Sequence, residues 1–393
     1  MKIVDIKCED ICFGGNLRNA TIDFSNMKTT IVAVITDVVR SGKPVIGFGF
    51  NSPGRHGQSG VLTSRIFAKI QAADAFDLLN DDGSNFSPEK IFRIMTQNEK
   101  AGGHGDRAHA IGVLDMAIWD LVSKIEGKPL WLMLHERYGT SPYSEQVFCY
   151  AAGGYYPKGV TSEKKRLEIL ADEMKSYKAD GFTTLKLKIG GASLNEDMNR
   201  LAQVIKIAGD GSITAVDANA KFDLDTAIRY ASEMKAYGIM WFEEPGDPND
   251  YFLHASLINQ NAVPIAVGEN LFSEQDVKNM IIYGNLRSNI DYLQMDANLA
   301  YGVTGFVRIL KMVKDFGWDE SRIYPHGGNL LGLHLCAAFN LGGTECYPGF
   351  FKPFGGFYDN TVIKNGYVQL PMECGVGVEQ KKVLYDLMVK NLL

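Results

Sequence analysis

Three acidic residues recur at equal intervals in three short β-rich runs. They are Asp217 in AVDAN, Glu243 in MWFEEP and Glu269 in AVGEN, each 26 residues from the next. Successive strand-helix units produce such a spacing, so the carboxylates are expected side by side at the C-terminal ends of neighbouring strands. Held together they repel one another unless a cation lies between them, and an all-oxygen set selects a hard divalent ion such as Mg²⁺. One acid at a strand end often does no more than cap the next helix. Three in register argue for a metal.

Just upstream, TTLKLKIGG places Lys186 and Lys188 two apart on a strand, so both face one side while Leu185, Leu187 and Ile189 face the other. The plain alternative is a solvated face of an amphipathic strand. Inside a barrel, beside the acids, the like charge of Lys186 is expected to depress the pKa of Lys188 and suit it to act as a general base. Asp296 ends YLQMDA and His326 ends RIYPHGG, again at strand ends. A carboxylate bonded to an imidazole raises its pKa, which supplies an acid across the mouth from Lys188. His334, in an apolar helix, reads as structural. His104 and His109 are five apart among Gly102, Gly103 and Gly105, which suggests a loop and places no zinc site there.

The elements that must position these groups follow from periodicity. The first fifty residues alternate as strands and read as an antiparallel meander, and a helical period takes over between about Thr63 and His135. It is clearest in RAHAIGVLDMAIWDLVSKIEGKPLWLML, broken at Gly127 and Pro129. From Val147 onward eight β-rich runs alternate with amphipathic stretches: VFCYAAG, TTLKLKI, ITAVDAN, IMWFEEP, PIAVGEN, DYLQMDA, RIYPHGG and GGTECYP. That order predicts an α/β fold, a TIM-like (β/α)7β barrel with an α+β N-terminal capping domain. The expected divisions are 1–140 for the cap, 141–355 for the barrel, and 356–393 for a C-terminal segment returning to the cap.

Composition narrows the function classes. Of 393 residues 46% are apolar, enough for a large core, and 40 basic against 46 acidic side chains give a net charge of −6 with no basic tract. Nucleic acid is excluded as the main partner. No apolar run reaches the roughly 18 residues a membrane span needs. The charged start MKIVDIKCED is unlike a signal peptide, so a cytoplasmic protein is expected. Six scattered cysteines read as reduced thiols. GFGFNSPG lacks the G-x-G-x-x-G spacing of a dinucleotide site.

The K-x-K strand, the three evenly spaced acids and the later Asp and His resemble the mandelate racemase group of the enolase superfamily along the whole chain. The segments RNATIDF, NEKAGGHGDR, YAAGGYY, GENLFS, YPHGGN and YPGFFKPFGGF are closest to its D-tartrate dehydratase branch. The resemblance implies that Asp217, Glu243 and Glu269 hold Mg²⁺. It implies that Lys188, beside Lys186, takes the α-proton, and that His326, paired with Asp296, protonates the leaving hydroxyl. It implies a cap closing over the barrel mouth, and substrate contacts from Asn19, Lys100, Tyr156 and Glu345. Pro53 and Cys346 stand where polar residues are expected from that branch, and only two tyrosines follow the Ala-Ala-Gly-Gly run.

The expected reaction is therefore Mg²⁺-dependent dehydration of a small-molecule 2,3-dihydroxy diacid, D-tartrate to oxaloacetate. Dehydration of a galactarate- or gluconate-like sugar acid and racemisation are the neighbouring alternatives. A barrel that binds a diacid without chemistry is the alternative from another class. Barrels of this group commonly form homo-oligomers, but the sequence carries no interface signature.

Overall fold

The computed structural model describes residues 1–12, 17–140, 142–260 and 263–393. At the N-terminus, strands Ile3–Cys12, Lys28–Arg40 and Lys43–Phe50 form an antiparallel sheet with the second strand in the middle. Phe13, the last residue of the first expected strand, lies outside the described residues. Against this sheet lies the helix Gly105–Glu126, which begins directly after His104 and ends at Gly127 in the left-handed region. The contact is close enough to require glycine. A Cβ on Gly47 would lie 2.1 Å from the Ala117 carbonyl oxygen, and one on Gly49 2.2 Å from that of Val113.

Among the described residues, eight segments then alternate with seven helices. Parallel ladders join the strands Tyr292–Leu293, Ile265–Val267, Phe242–Glu243, Thr214–Asp217, Leu185–Lys188, Gln146–Gly153 and Thr344–Cys346 in that spatial order. The segment 323–326 fills the remaining place through single bonds rather than a regular ladder. Tyr324 and His326 donate their N–H groups to the carbonyls of Leu293 and Met295 at 2.8 and 3.3 Å. Glu345 N–H reaches Pro325 O at 3.4 Å. All eight expected barrel strands are found at these places, with a capping domain before them.

Helices between the strands carry the start signals that polar caps give. Ser193 accepts from the Glu196 N–H at the head of Leu194–Ala208, and Asn329 accepts from the Leu331 N–H at the head of Leu330–Phe339. The second cap stops the loop that carries His326.

Cap and barrel are joined at two places that matter for the site. The short strand Leu17–Arg18 pairs with Tyr156–Pro157, laying the N-terminal loop over the barrel mouth. Asp115 on the long cap helix accepts the Thr304 N–H at 2.9 Å and the Thr304 hydroxyl at 2.7 Å, capping the barrel helix Gly302–Asp315 from the other domain. The C-terminal segment touches both the barrel strands and the N-terminal sheet. Its hairpin Ile363–Lys364/Tyr367–Gln369 pairs with the first barrel strand before the helix Lys382–Leu392 packs on the N-terminal sheet, with Tyr385 edge-on to Phe48.

Candidate active site at the barrel mouth

The barrel strands end on the residues that the sequence singles out. Asp217 and Glu243 close their strands; Glu269 follows its strand by two residues and Asp296 by three, and His326 ends the segment 323–326. One oxygen from each of Asp217, Glu243 and Glu269 can be chosen so that all lie within 4.8 Å of one another, and no other such cluster occurs among the described residues. All three residues are buried. Oε2 of Glu269 is enclosed without accepting a hydrogen bond. A buried carboxylate oxygen that accepts no hydrogen bond and has only the His326 imidazole 3.3 Å away, beside two more acids, fits a divalent cation, and oxygen-only donors fit Mg²⁺. Gly268 makes this register possible, since a Cβ there would lie 2.4 Å from the Gln294 carbonyl carbon on the next strand.

Both lysines point inward, as the alternation requires. Lys186 is fully buried, its Nζ 2.7 Å from Glu243 Oε1, 2.6 Å from Glu345 Oε1 and 3.7 Å from Asp217 Oδ2. Lys188 donates to Asp217 and lies 5.3 Å from the centre of the Tyr155 ring. Its titration corrects an expectation. Burial, the largest single effect, and Lys186 push the Lys188 amine down, but Asp217, Tyr155 and Glu269 together outweigh them, and the net shift is upward.

His326 faces Lys188 across the mouth. Its Nδ1 is 2.8 Å from Asp296 Oδ2, and its Nε2 is 3.2 Å from the Tyr347 hydroxyl and 3.3 Å from Glu269 Oε2. Burial pulls the imidazole down, yet Glu269, Glu345 and Asp296 together raise it to about 10. Lys188, Glu269 and His326 all line one cleft of about 230 Å³, lying between the barrel and two cap loops.

The residues expected to touch substrate divide. Asn19 lines the cleft, its Oδ1 held by the N–H groups of Thr21 and Ile22. Lys100 does not; it is exposed, in the loop before Gly105, with its carbonyl bonded to Arg107. Tyr156 does not either. Its hydroxyl donates to Asp197 at 2.7 Å and its ring lies under Arg200, behind the strand ends, while Tyr155 takes the cleft side. Residues adjacent in an extended segment face opposite ways, so a one-residue difference changes which tyrosine is exposed to ligand. Glu345 is buried below the cleft, bridging Lys186 and the Gly327 N–H.

Several cleft residues carried no recognised sequence signal. Arg55 reaches in from the cap, donating to Asn270 Oδ1 at 2.6 Å and lying 3.6 Å from Glu269 Oε1. Glu244, next to Glu243 in the EEP run, turns the other way at φ 41° and accepts both of its short bonds from the Asn270 amide. Phe24, Tyr155, Tyr347 and Phe351 make an aromatic wall. A doubled acid at a strand end was the one visible hint of Glu244. His104 bonds Tyr301, and His109, on the helix rather than in a loop, packs edge-on to Phe272. His334 accepts from the Trp131 N–H inside the core.

Residues 169–383 match the family described as enolase C-terminal domain-like. The chain is 31% identical over 314 residues to the L-talarate/galactarate dehydratase of Salmonella typhimurium, covering 79% of this chain and 72% of that protein. It is 31% identical over 381 residues to the arabinonate dehydratase of Saccharolobus solfataricus, covering 95% and 96%. Among solved structures, an L-talarate dehydratase from a Polaromonas species, complexed with Mg and L-glucarate, superposes with a TM-score of 0.72 at 25% identity over 96% of this chain and 94% of that one. A racemase from Streptomyces coelicolor with bound magnesium shares the fold over the full length of both chains, with a TM-score of 0.77 at 22% identity.

Proposed function

Because this chain belongs to the enolase superfamily, we propose that it is a Mg²⁺-dependent acid dehydratase, a hydro-lyase acting on a 2,3-dihydroxy diacid, with D-tartrate to oxaloacetate as the specific reaction. The observation that carries the reading is the placement of an amine and a carboxylate-bonded imidazole on opposite sides of one carboxylate-lined cleft. Binding alone needs no such proton-transfer pair. Asp217, Glu243 and Glu269 would hold the ion. When bound, it supplies positive charge for the dianion formed by α-proton removal and draws the Asp217 charge away from Lys188.

The chain's own groups do the rest. Lys188 Nζ takes the proton from C2, and the electron pair left there forms the C2–C3 double bond as the C3–O bond breaks. His326 Nε2 delivers its proton to the departing hydroxyl, which leaves as water. The enol product tautomerises to the keto acid. Asp296 holds the ring so that Nε2 faces the cleft, and Lys186 offsets the charge of Glu243 and Glu345 below. The cleft-lining cations among the described residues are Lys188, His326 and Arg55. With the first two assigned to proton transfer, Arg55 is the group suited to a second substrate carboxylate, whereas Lys100, expected to touch the substrate, lies outside the cleft.

Incubating the protein with Mg²⁺ and each tartrate stereoisomer, galactarate, gluconate and arabinonate in turn, then assaying keto acid, tests the reading. Oxaloacetate from D-tartrate is the expected result. Keto acid from a longer polyol only would support the second reading, dehydration of a sugar acid, which the two dehydratase relatives favour. Solvent deuterium at C2 without water loss would indicate racemisation. Binding of a diacid that survives Lys188→Ala, with neither exchange nor keto acid in the wild type, would mean a binding protein. Six free cysteines support a cytoplasmic site.

A further inference from the structure

We infer that Lys381, outside the cleft, is the positioning residue for the Tyr347–Phe351 wall that faces Lys188 and His326. Lys381 lies just before the C-terminal helix and is 6% exposed. Its Nζ donates to three successive carbonyls, Phe354 O at 3.3 Å, Gly355 O at 2.6 Å and Gly356 O at 2.8 Å. Three carbonyl dipoles converging on one point repel each other unless a cation sits there, and an ammonium has three donors for the three acceptors.

The gathered turn is tied directly to the site. The N–H groups of Phe354 and Gly355 both bond Phe351 O at 2.9 Å, and Gly356 N–H bonds Gly328 O at 2.8 Å, two residues beyond His326. Phe351 adopts φ 58°, a left-handed conformation that a bulky side chain holds only when its surroundings impose it. Its ring packs on Tyr347 at 4.9 Å and Phe24 at 5.1 Å, and the Tyr347 hydroxyl touches His326. A side chain at residue 381 thereby connects the docking of the C-terminal helix on the cap to the shape of the cleft.

Burial pushes the Lys381 amine down to about 8, opposed by Cys346 and Asp359 and reinforced by Lys352. Cys346 comes from the last barrel strand, Lys352, Tyr358 and Asp359 from the loop itself, and Asp180 from the end of the first barrel helix across the same cavity. The clamp therefore loosens as the amine loses its proton above about pH 8.

This inference rests on the preceding reading only in taking the cleft as the substrate site. It is tested on the full chain by amide hydrogen exchange, which needs no substrate, and by steady-state kinetics. In Lys381→Met the Phe354, Gly355 and Gly356 amides should exchange about tenfold faster or more, while those of Leu194–Ala208 keep their wild-type rates. In Lys381→Arg they should stay protected. After correction for intrinsic base catalysis, the wild-type loop should open between pH 7 and 9.5, and the Arg variant should not.

With an acid that is turned over, Lys381→Met should raise KM more than it lowers kcat. Unchanged loop exchange in Lys381→Met, or faster exchange with unaltered kinetics, overturns the inference. Should that variant not fold, a wild-type loop indifferent to pH does the same. Failure to turn over any acid would count against the proposed reaction, and the exchange data would still decide the clamp.

Discussion

His326 Nδ1 stands 2.8 Å from Asp296 Oδ2, and this one contact sets which ring nitrogen faces the cleft. A ring so held keeps Nε2 available as the acid, and loss of the carboxylate frees the ring to rotate or change tautomer. We predict that His326→Asn lowers turnover by about a hundredfold or more, and that Asp296→Asn also lowers it, by a smaller factor. Circular dichroism should be unchanged in both. Near-normal turnover in His326→Asn would remove the residue from the mechanism.

Lys188→Ala should lower turnover by about a hundredfold or more and should also abolish deuterium exchange at C2, because the amine is the group proposed to take that proton. Exchange measured by NMR in the absence of elimination separates this step from loss of water. Persistent exchange in the variant would assign the base elsewhere.

Removal of divalent ions should abolish activity, and Mg²⁺ should restore it. Calorimetry should show one site per chain, weakened by Asp217→Asn or Glu269→Gln. The triad offers one set of three converging oxygens among the described residues, so stoichiometric Mg²⁺ binding that survives both changes would place the ion at another site.

Arg55→Leu should raise KM for a diacid by about tenfold or more, as loss of a charge-assisted bond to a carboxylate does, and leave KM for a monoacid of the same chain length nearly as it was. Equal effects on both would mean that Arg55 serves only to brace Asn270 and Glu269.

Asp115 couples stability to pH. It is fully buried, and burial raises its carboxyl to about 7 against the opposing Thr304 bonds. A folded-state pKa above the unfolded value means that the folded form binds the proton more tightly. This contribution is present below about pH 4 and is lost as pH rises through about 7. Urea unfolding at pH 5 and pH 8 should show the wild type losing more stability over that interval than Asp115→Asn. Parallel losses would show that this carboxyl does not titrate there.

Much of the architecture is readable from periodicity because it repeats. The 26-residue interval between the acids reflects equal strand-helix units, and the Lys186/Lys188 alternation reflects the pleat; both are local regularities that the barrel then uses. The cleft-lining residues were less legible. Lys100 sits in a segment of the expected kind but on an exposed loop, and Tyr156 points behind the sheet because it is one residue out of phase with Tyr155. Arg55 enters the cleft from the cap, far from the barrel motifs in the chain, and nothing local marks it.

The amino-acid order alone therefore determined the repeating strand-helix plan and the metal-type acids, the paired lysines and the later Asp and His at its strand ends, since period and spacing are properties of short stretches. Folding in three dimensions decided that Arg55 rather than Lys100 lines the cleft, which tyrosine does so, and the net direction of the Lys188 shift. Each of those depends on the distance and orientation of groups dozens to hundreds of residues apart, where Coulomb and packing forces act through space and not along the chain.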